Sequence, residues 1–241
     1  MNQEKIRMGE TRINLITDLE NHDISKLIFK ERMVINEYIK RNPEFLTSLD
    51  PININDAPMI VKIMGKAARK AEVGPMAAVA GTISQLCLSY LSDNGSKHSI
   101  IDNGGDIALK TYKKVVTGLY AGNSSLSGEI GFQIKPQDTP MGICTSSGTV
   151  GHSISFGRSD AVTVFASHSS LADALATSIA NYAQGKTDHD AVQNSLDRAD
   201  NFREYFRGVM IVVGEQAGSI GKIPQLVKTD KKTVLGDLFE I

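Results

Sequence analysis

The order of apolar and polar residues in the first third of the chain predicts a strand followed by helices. Polar and apolar residues alternate over residues 11–17, the pattern of a strand with one buried face. Over residues 24–39 the apolar residues recur at intervals of three and four, which predicts an amphipathic helix that Pro43 ends. Residues 57–71 predict a second helix with a basic, solvated outer face.

A third helix, predicted over residues 76–86 after Gly74 and Pro75, consists mostly of small side chains. Small side chains let a neighbouring backbone or a flat ligand come close. The segment therefore allows two interpretations, tight packing against a sheet or a flat apolar surface for a ring system.

The rest of the chain predicts a run of short strands, then helices and a last strand. Short apolar runs separated by turns predict strands over residues 98–101, 107–110, 115–120, 130–134, 141–144, 162–166 and 208–213. Helices are predicted over residues 172–182 and 190–202. Because several connections are too short for helical crossovers, we expect a mainly antiparallel sheet with packed helices in one α+β domain spanning residues 1–241, with the helices concentrated at the two ends of the sequence.

Composition excludes several classes of partner. The 241 residues carry a net charge of −1, with basic residues scattered and not interleaved with aromatic ones, so neither nucleic acid nor a membrane is an expected partner. The N-terminus has no apolar targeting segment, and no apolar run is long enough to span a bilayer, which predicts a cytoplasmic protein. Homodimers are the commonest soluble oligomers, so a homodimer is the expected assembly if the chain self-associates.

The cysteines and histidines predict neither a disulfide framework nor a zinc site. Cys87 and Cys144 lie far apart in apolar surroundings, as buried thiols do, and the five histidines show no metal-ligand spacing. The chain also lacks a dinucleotide-binding glycine fingerprint and a Walker loop. The segment from Gly151 to Ser155 comes near a serine-hydrolase elbow but lacks its closing glycine.

Candidate chemistry concentrates between residues 144 and 181. A hydroxyl-rich glycine loop, Thr145-Ser146-Ser147-Gly148, precedes a strand and then a helix that carries Asp173 and Thr177 four residues apart on one face. One carboxylate, one hydroxyl and substrate phosphates are a sufficient ligand set for Mg²⁺.

Both helix residues also have purely structural interpretations. Ser170 and Asp173 match a capping box, and Thr177 can donate to the carbonyl four residues earlier. The Asn103-Gly104-Gly105-Asp106 segment likewise fits either a hairpin turn or a close approach of the backbone to a ligand.

Taken in order, four motifs resemble those of the ApbE-type FAD:protein FMN transferases, the former thiamine-biosynthesis lipoprotein family: Gly-Gly-Asp-Ile, Thr-Ser-Ser-Gly, Val-Thr-Val and Ala-Asp-Ala-Leu-Ala-Thr. The longer segments 73–81, 103–106 and 144–153 resemble a cytoplasmic branch of that superfamily. The resemblance implies a protein that binds FAD and Mg²⁺, with Asp173 and Thr177 as metal ligands. It further implies that the nucleotide site is lined by Gly104, Gly105, Asp106, Thr145, Ser146 and Gly148.

Two departures from the transferase pattern leave the activity open. Pro75 and Met76 stand where the transferases carry a Lys-Gly pair, and His152 either takes the place of the family's catalytic histidine or caps a turn. The first expectation is therefore binding of FAD, or a related nucleotide, with Mg²⁺ and transfer of FMN to a protein acceptor. The alternative is a non-catalytic flavin- or nucleotide-binding or assembly protein that retains the fold.

Overall fold

A computed structural model describes residues 1–148 and 157–230. Its strands, numbered in chain order, are β1 (Asn2–Met8), β2 (Thr11–Thr17), β3 (Ser99–Asn103), β4 (Asp106–Lys110), β5 (Val115–Gly118), β6 (Ile130–Ile134), β7 (Met141–Ser146), β8 (Ala161–Ala166), β9 (Gly208–Val213), β10 (Gln216–Gly221) and β11 (Gln225–Lys228). Its α-helices are α1 (Ile24–Arg41), α2 (Glu44–Thr47), α3 (Met59–Ala71), α4 (Val79–Asp93), α5 (Ser169–Ala180) and α6 (Asp188–Asp200). Short 3₁₀ segments at Pro75–Ala78 and Pro136–Asp138 complete the helical elements of the described ranges.

The first helix shows how the apolar spacing becomes structure. Ile24, Ile28 and Ile35 of α1 are buried, so the stripe that the sequence predicts does face the core. The helix ends at Arg41 because a residue that precedes proline disfavours the helical conformation. Asn42 then donates both its backbone N–H, at 2.9 Å, and its side-chain Nδ2, at 3.1 Å, to the Tyr38 carbonyl of the last turn.

The chain forms two compact units, of which the first comprises residues 1–112, 139–144 and 166–175. Here β1, β2, β3, β4 and the start of β7 lie side by side in that order, each antiparallel to its neighbour. Every second residue of β2 is buried, so one face of this part of the sheet is covered. α4 packs on β3 and β4, and α1 and α3 pack against α4.

The second unit comprises residues 113–138, 145–165 and 176–241. Within it β9 lies between β8 and β10, antiparallel to both, and α6 packs on β9 and β10. A separate sheet has the strand order β11-β6-β5. Phe132 and Phe165 are fully buried and meet edge to face, with ring centroids 4.8 Å apart.

The α+β class with a mainly antiparallel sheet is confirmed. As expected, the described α-helices flank the central strands, with α1 to α4 before β3 and α5 and α6 after β8; two strands precede α1 and three follow α6. The expected domain over residues 1–241 stays a prediction, since a division into compact units does not establish how many parts fold independently. No helix in the described ranges is long and apolar enough to cross a membrane.

The aromatic pair of the second unit should be a major source of stability. We expect Phe132→Ala to lower the free energy of unfolding by about 3–5 kcal/mol, because the substitution leaves a cavity beside Phe165. Phe29→Ala is the control, since Phe29 is 57% exposed and should change stability by no more than about 0.5 kcal/mol. Urea denaturation measures the free energy of unfolding of both variants. Equally small decreases in the two would contradict a core that depends on the contact between Phe132 and Phe165.

Candidate functional site

The Asn103-Gly104-Gly105-Asp106 segment is a two-residue hairpin turn between β3 and β4. Gly104 and Gly105 have φ of 67° and 101°, the left-handed region that glycine adopts without strain. Asp102 supports the turn by accepting the Gly105 N–H through Oδ1 at 2.8 Å. A Cβ added at either glycine would meet no atom within 4 Å, so conformation alone accounts for both. Their part in lining a nucleotide site stays a prediction.

The Asp173 carboxylate caps α4, a helix that begins almost a hundred residues earlier. Ala78 precedes α4 and cannot supply a side-chain cap. Asp173, from α5, accepts the Gly81 N–H through Oδ2 at 2.8 Å and also accepts the Ala80 N–H. A negative charge at this end of α4 is favoured by the helix dipole as well.

The capping-box interpretation of Asp173 is therefore wrong. Ser170 lies inside α5 and not at its N-cap, and its hydroxyl donates to Gln85 Oε1 at 2.7 Å. Asp173 does act as a cap, but for another helix. No local sequence pattern could have revealed this, because the bonded residues are 92 positions apart.

Two glycines let the first turn of α5 contact α4 and β7 directly. A Cβ on Gly81 would lie 2.3 Å from the Ser169 carbonyl oxygen and 2.7 Å from the Asp173 Cβ. A Cβ on Gly142 would lie 2.3 Å from the Ser169 Cα. Ser169 also donates through its hydroxyl to the Gly81 carbonyl at 2.7 Å. The packing interpretation of the small-residue helix therefore holds at Gly81, which α5 covers.

Asp106 lies beside Asp173 and Cys144. It opens β4 directly opposite Cys144 of β7, and paired residues of an antiparallel ladder share one face of the sheet. The Cys144 thiol donates to the Ser169 carbonyl at 3.2 Å and also contacts the Asp106 carboxylate. Burial, together with the two nearby carboxylates, raises the pKa of Cys144 well above its ordinary value, so this thiol stays neutral.

Burial destabilises the charge of both carboxylates. Burial raises the pKa of Asp173 to about 7, although the Gly81 and Ala80 amides favour its ionised form. Burial first, and then the charge of Asp173, raises the pKa of Asp106 well above its ordinary value. No ion pair joins either carboxylate to a basic side chain in the described part of the chain. The pair therefore needs a shared proton or a bound cation near neutral pH.

The glycine-hydroxyl loop belongs to the second unit. Thr145 and Thr163 share a hydroxyl–hydroxyl bond of 3.0 Å, and Gly148 donates its N–H to the Ser159 carbonyl at 2.9 Å. The hydroxyls of Ser146 and Ser159 are buried and have no hydrogen-bond partner among the residues that the structure describes. Buried polar groups are almost always paired, so two unpaired hydroxyls beside one loop indicate a place for a ligand oxygen or an ordered water.

The other predicted site residues are less constrained. Thr177 is partly exposed one helical turn after Asp173 on α5, while His152 lies outside the described residues. Across residues 1–148 and 157–230, no three His, Cys, Asp or Glu side chains come together as a metal-ligand cluster. A cation at the Asp106–Asp173 pair would thus complete its coordination with other oxygens, from a hydroxyl, a carbonyl, a phosphate or water.

Residues 2–203 match the family model described as AbpE bacteria. The chain belongs to this family. Two relatives called UPF0280 protein agree along nearly the whole chain. That of Methanothermobacter thermautotrophicus is 65% identical over 98% of this chain and 92% of its own length. That of Methanococcus aeolicus is 52% identical over 100% of both chains.

The fold of this AbpE-family chain is also that of solved flavin transferases. The apo flavinyl transferase ApbE of Pseudomonas stutzeri superposes with a TM-score of 0.56, covering 98% of this chain and 97% of that chain, at 11% sequence identity. At this low sequence identity, the superposition establishes a shared fold and nothing beyond it. The family membership expected from the ordered motifs is confirmed.

Several residues of the candidate site of this AbpE-family chain were not identified from the sequence. Cys144 was expected to be a buried thiol, which it is, but not to contact a predicted site carboxylate. Gly81 and Ala80 donate the amides that hold Asp173, and Ser169 connects α5 to α4. The signal available in the sequence was the run of small residues over positions 76–86. It indicated that a backbone or a ligand comes close to this helix, but not that the partner is α5.

The buried carboxylate should make stability depend on pH in the opposite sense to an ordinary aspartate. Its folded-state pKa of about 7 lies above the value of about 3.9 expected for an unfolded chain, so the folded state holds more protons between those pH values. In EDTA, the stability of the wild type relative to Asp173→Asn should fall by roughly 2–3 kcal/mol from pH 5 to pH 8, at about 1.4 kcal/mol per pH unit in the affected window.

Urea denaturation at the two pH values measures this difference. Asp93→Asn, at an exposed aspartate of the same unit, is the control and should follow the wild-type profile. If the free energies of unfolding of the wild type and Asp173→Asn differ by the same amount at pH 5 and pH 8, the Asp173 carboxylate is not desolvated.

Gly81→Ala should be far more damaging than an alanine at another helical glycine. Its Cβ would collide with the Ser169 backbone, so we expect a loss of about 1–3 kcal/mol in the free energy of unfolding. The control is Gly65→Ala on α3, whose Cβ would meet Ile54 Cδ1, the movable end of a side chain. Alanine also favours the helix by about 1 kcal/mol over glycine, so this variant should lose little or nothing. Similar losses in the two variants would rule out a tight contact between α4 and α5.

Proposed function

We propose that this AbpE-family chain binds FAD together with Mg²⁺ and transfers the FMN half to a hydroxyl of a protein acceptor. The observation that carries the proposal is the pair formed by the buried Asp173 and the partly buried Asp106. Two neighbouring carboxylates with no basic partner among the described residues are unfavourable near neutral pH unless a positive charge, from a shared proton or a cation, lies between or beside them. A bound divalent cation supplies that charge.

The donor set is the kind that Mg²⁺ accepts. Mg²⁺ prefers oxygen ligands, takes one or two carboxylates from the protein and fills its remaining positions with water and substrate phosphates. The Gly81 amide donates to Oδ2 of Asp173, and a carboxylate has enough lone pairs to accept such bonds and also bind a cation. Thr177, one turn along α5, is the second proposed ligand. When bound, the cation would neutralise a pyrophosphate and the charge that develops on departing AMP.

The remaining proposed contacts are to the nucleotide. The unpaired Ser146 hydroxyl would donate to a ligand oxygen, which would remove the cost of burying it without a partner. Gly104, Gly105, Asp106, Thr145 and Gly148 complete the proposed lining. In the transfer itself, the acceptor oxygen bonds to the phosphorus of the FMN half, the bond from that phosphorus to the AMP oxygen breaks, and the acceptor proton leaves to a base or to solvent.

The rival proposal is a non-catalytic carrier that binds the nucleotide without breaking it. Pro75 and Met76 favour it, because Pro75 opens the 3₁₀ segment before α4 where the transferases carry a Lys-Gly pair. A carrier would keep the carboxylate pair and the cation but lack a group that activates the acceptor.

Binding and chemistry can be tested separately. We expect FAD to bind more tightly with Mg²⁺ than with EDTA, and we expect Asp173→Ala to abolish this difference. Flavin fluorescence measures binding, and chromatography of the incubated mixture detects AMP. AMP release with Mg²⁺ supports the transferase, whereas Mg²⁺-dependent binding without AMP release, across a panel of candidate acceptors, supports the carrier.

Asp93→Ala is the matched control, because Asp93 is an exposed aspartate at the end of α4. It should bind FAD as the wild type does. Loss of a helix cap costs about 1 kcal/mol, so Asp173→Ala should remain folded under the assay conditions. Equal FAD affinity in Mg²⁺ and in EDTA for the wild type would refute the metal-assisted proposal.

A further inference from the structure

A polar cleft of about 680 Å³ lies in the second unit, between α6 and the turn that follows α5. We name it the Tyr182 cleft, and its lining residues are Asn181, Tyr182, Gln184, Asn194, Asp197, Arg198 and Asn201. Its volume lies in the range of about 300–1,000 Å³ that is typical of small-molecule sites. None of these residues is among those assigned above to FAD or Mg²⁺.

One wall of the cleft is a single helical face. Asp197 and Arg198 each lie three or four residues from Asn194 and from Asn201 along α6 and its C-cap, so the four side chains emerge on the same side. Asn194 donates through Nδ2 to the Gln184 carbonyl at 2.7 Å, which joins this wall to the opposite one. The position of the cleft is thereby fixed by regular structure.

The flat surface in the cleft is the ring of Tyr182. The guanidinium carbon of Arg198 lies 4.6 Å from the centre of this ring and 4.5 Å from that of Phe202, so the cation sits between two aromatic rings. Arg198 also donates to the Ser178 hydroxyl from Nε and Nη2, at 3.3 and 3.0 Å. Tyr182 is therefore supported by a fixed cation, while 49% of its surface remains exposed.

The charges of the lining disfavour an ionic ligand. The lining holds one anion, Asp197, and one cation, Arg198, and is otherwise uncharged. Asp197 accepts a hydrogen bond from Gln193 at 2.7 Å, which engages part of its carboxylate. Carboxamides such as those of Asn194 and Asn201 carry both donors and acceptors, the groups that pair with the edge of a heterocyclic base.

We propose that the Tyr182 cleft binds a neutral nucleobase, stacked on Tyr182 and hydrogen-bonded at its edge by the carboxamides. Arg198 covers one face of the Tyr182 ring and about half of the residue stays exposed, so a base can stack on the other face, and every base offers a flat face. The base can come from a free nucleoside or from the adenosine half of a dinucleotide. The second source rests on the proposed function, whereas the cleft itself requires no cation.

Adenosine, which has no phosphate, is the probe for the cleft alone. Calorimetry in EDTA should show adenosine binding to the wild type, weakened about 5- to 100-fold in Tyr182→Ala and Tyr182→Leu, the range of stacking contributions measured for single bases. Tyr182→Phe should keep the affinity, because it keeps the ring. Tyr112→Ala removes a similarly exposed tyrosine of the first unit, 57% exposed, and should bind as the wild type does.

The same variants identify the source of the base. If FAD binding in EDTA falls in Tyr182→Ala as adenosine binding does, the base belongs to a dinucleotide; if only adenosine binding falls, it belongs to a free nucleoside. Asp173→Ala should retain adenosine binding even if it loses Mg²⁺-dependent FAD binding, so the two proposals can fail independently. No adenosine binding by the wild type, or equal affinity in all four tyrosine variants, would overturn the inference.

Discussion

The bond between the Asp173 carboxylate and the first amides of α4 is the interaction on which the candidate site of the first unit depends. The Gly81 and Ala80 amides would otherwise lack an acceptor, because Ala78 offers none. The bond requires the first turn of α5 to lie against α4, and only a glycine at position 81 leaves room for that approach. Helix capping and site geometry are thus two consequences of one contact.

The same contact brings an unfavourable charge into the molecule. The amides of α4 favour the ionised Asp173, whereas burial opposes it, and the charge of Asp173 in turn disfavours an ionised Asp106. A purely structural cap does not need a second carboxylate beside it, and a neutral side chain at position 106 would make the cap more stable. Local conflicts of this kind persist where function requires them, so the pair, rather than the loop or the glycines, indicates the candidate site.

The spacing of apolar residues predicted the buried elements well, because an element with a buried face needs apolar residues at the positions that face the core. α1, α3, β8 and β9 each have a face or a whole length in the core, and each was predicted within a few residues. β1 and β10 were missed because they are mostly exposed and polar, so pairing with a neighbouring strand, and not an apolar pattern, makes them strands.

The site shows the same division between local and distant causes. The Gly104-Gly105 turn follows from residues that are adjacent in sequence, and the prediction that a hairpin could form there needed nothing else. The partner of Asp173 depends on a tertiary contact, which motif spacing does not encode. Cys144 faces Asp106 because of the register between β4 and β7, and register is set by the sheet as a whole.

The carboxylate pair and the Tyr182 cleft are suited to opposite kinds of chemical group. The pair is desolvated and lacks positive charge, so it favours a cation and, through the cation, phosphate oxygens. The cleft balances its one anion with one cation and presents a supported ring, so it favours a flat group without charge. The pair belongs to the first unit and the cleft to the second, so each follows from the contacts of its own unit.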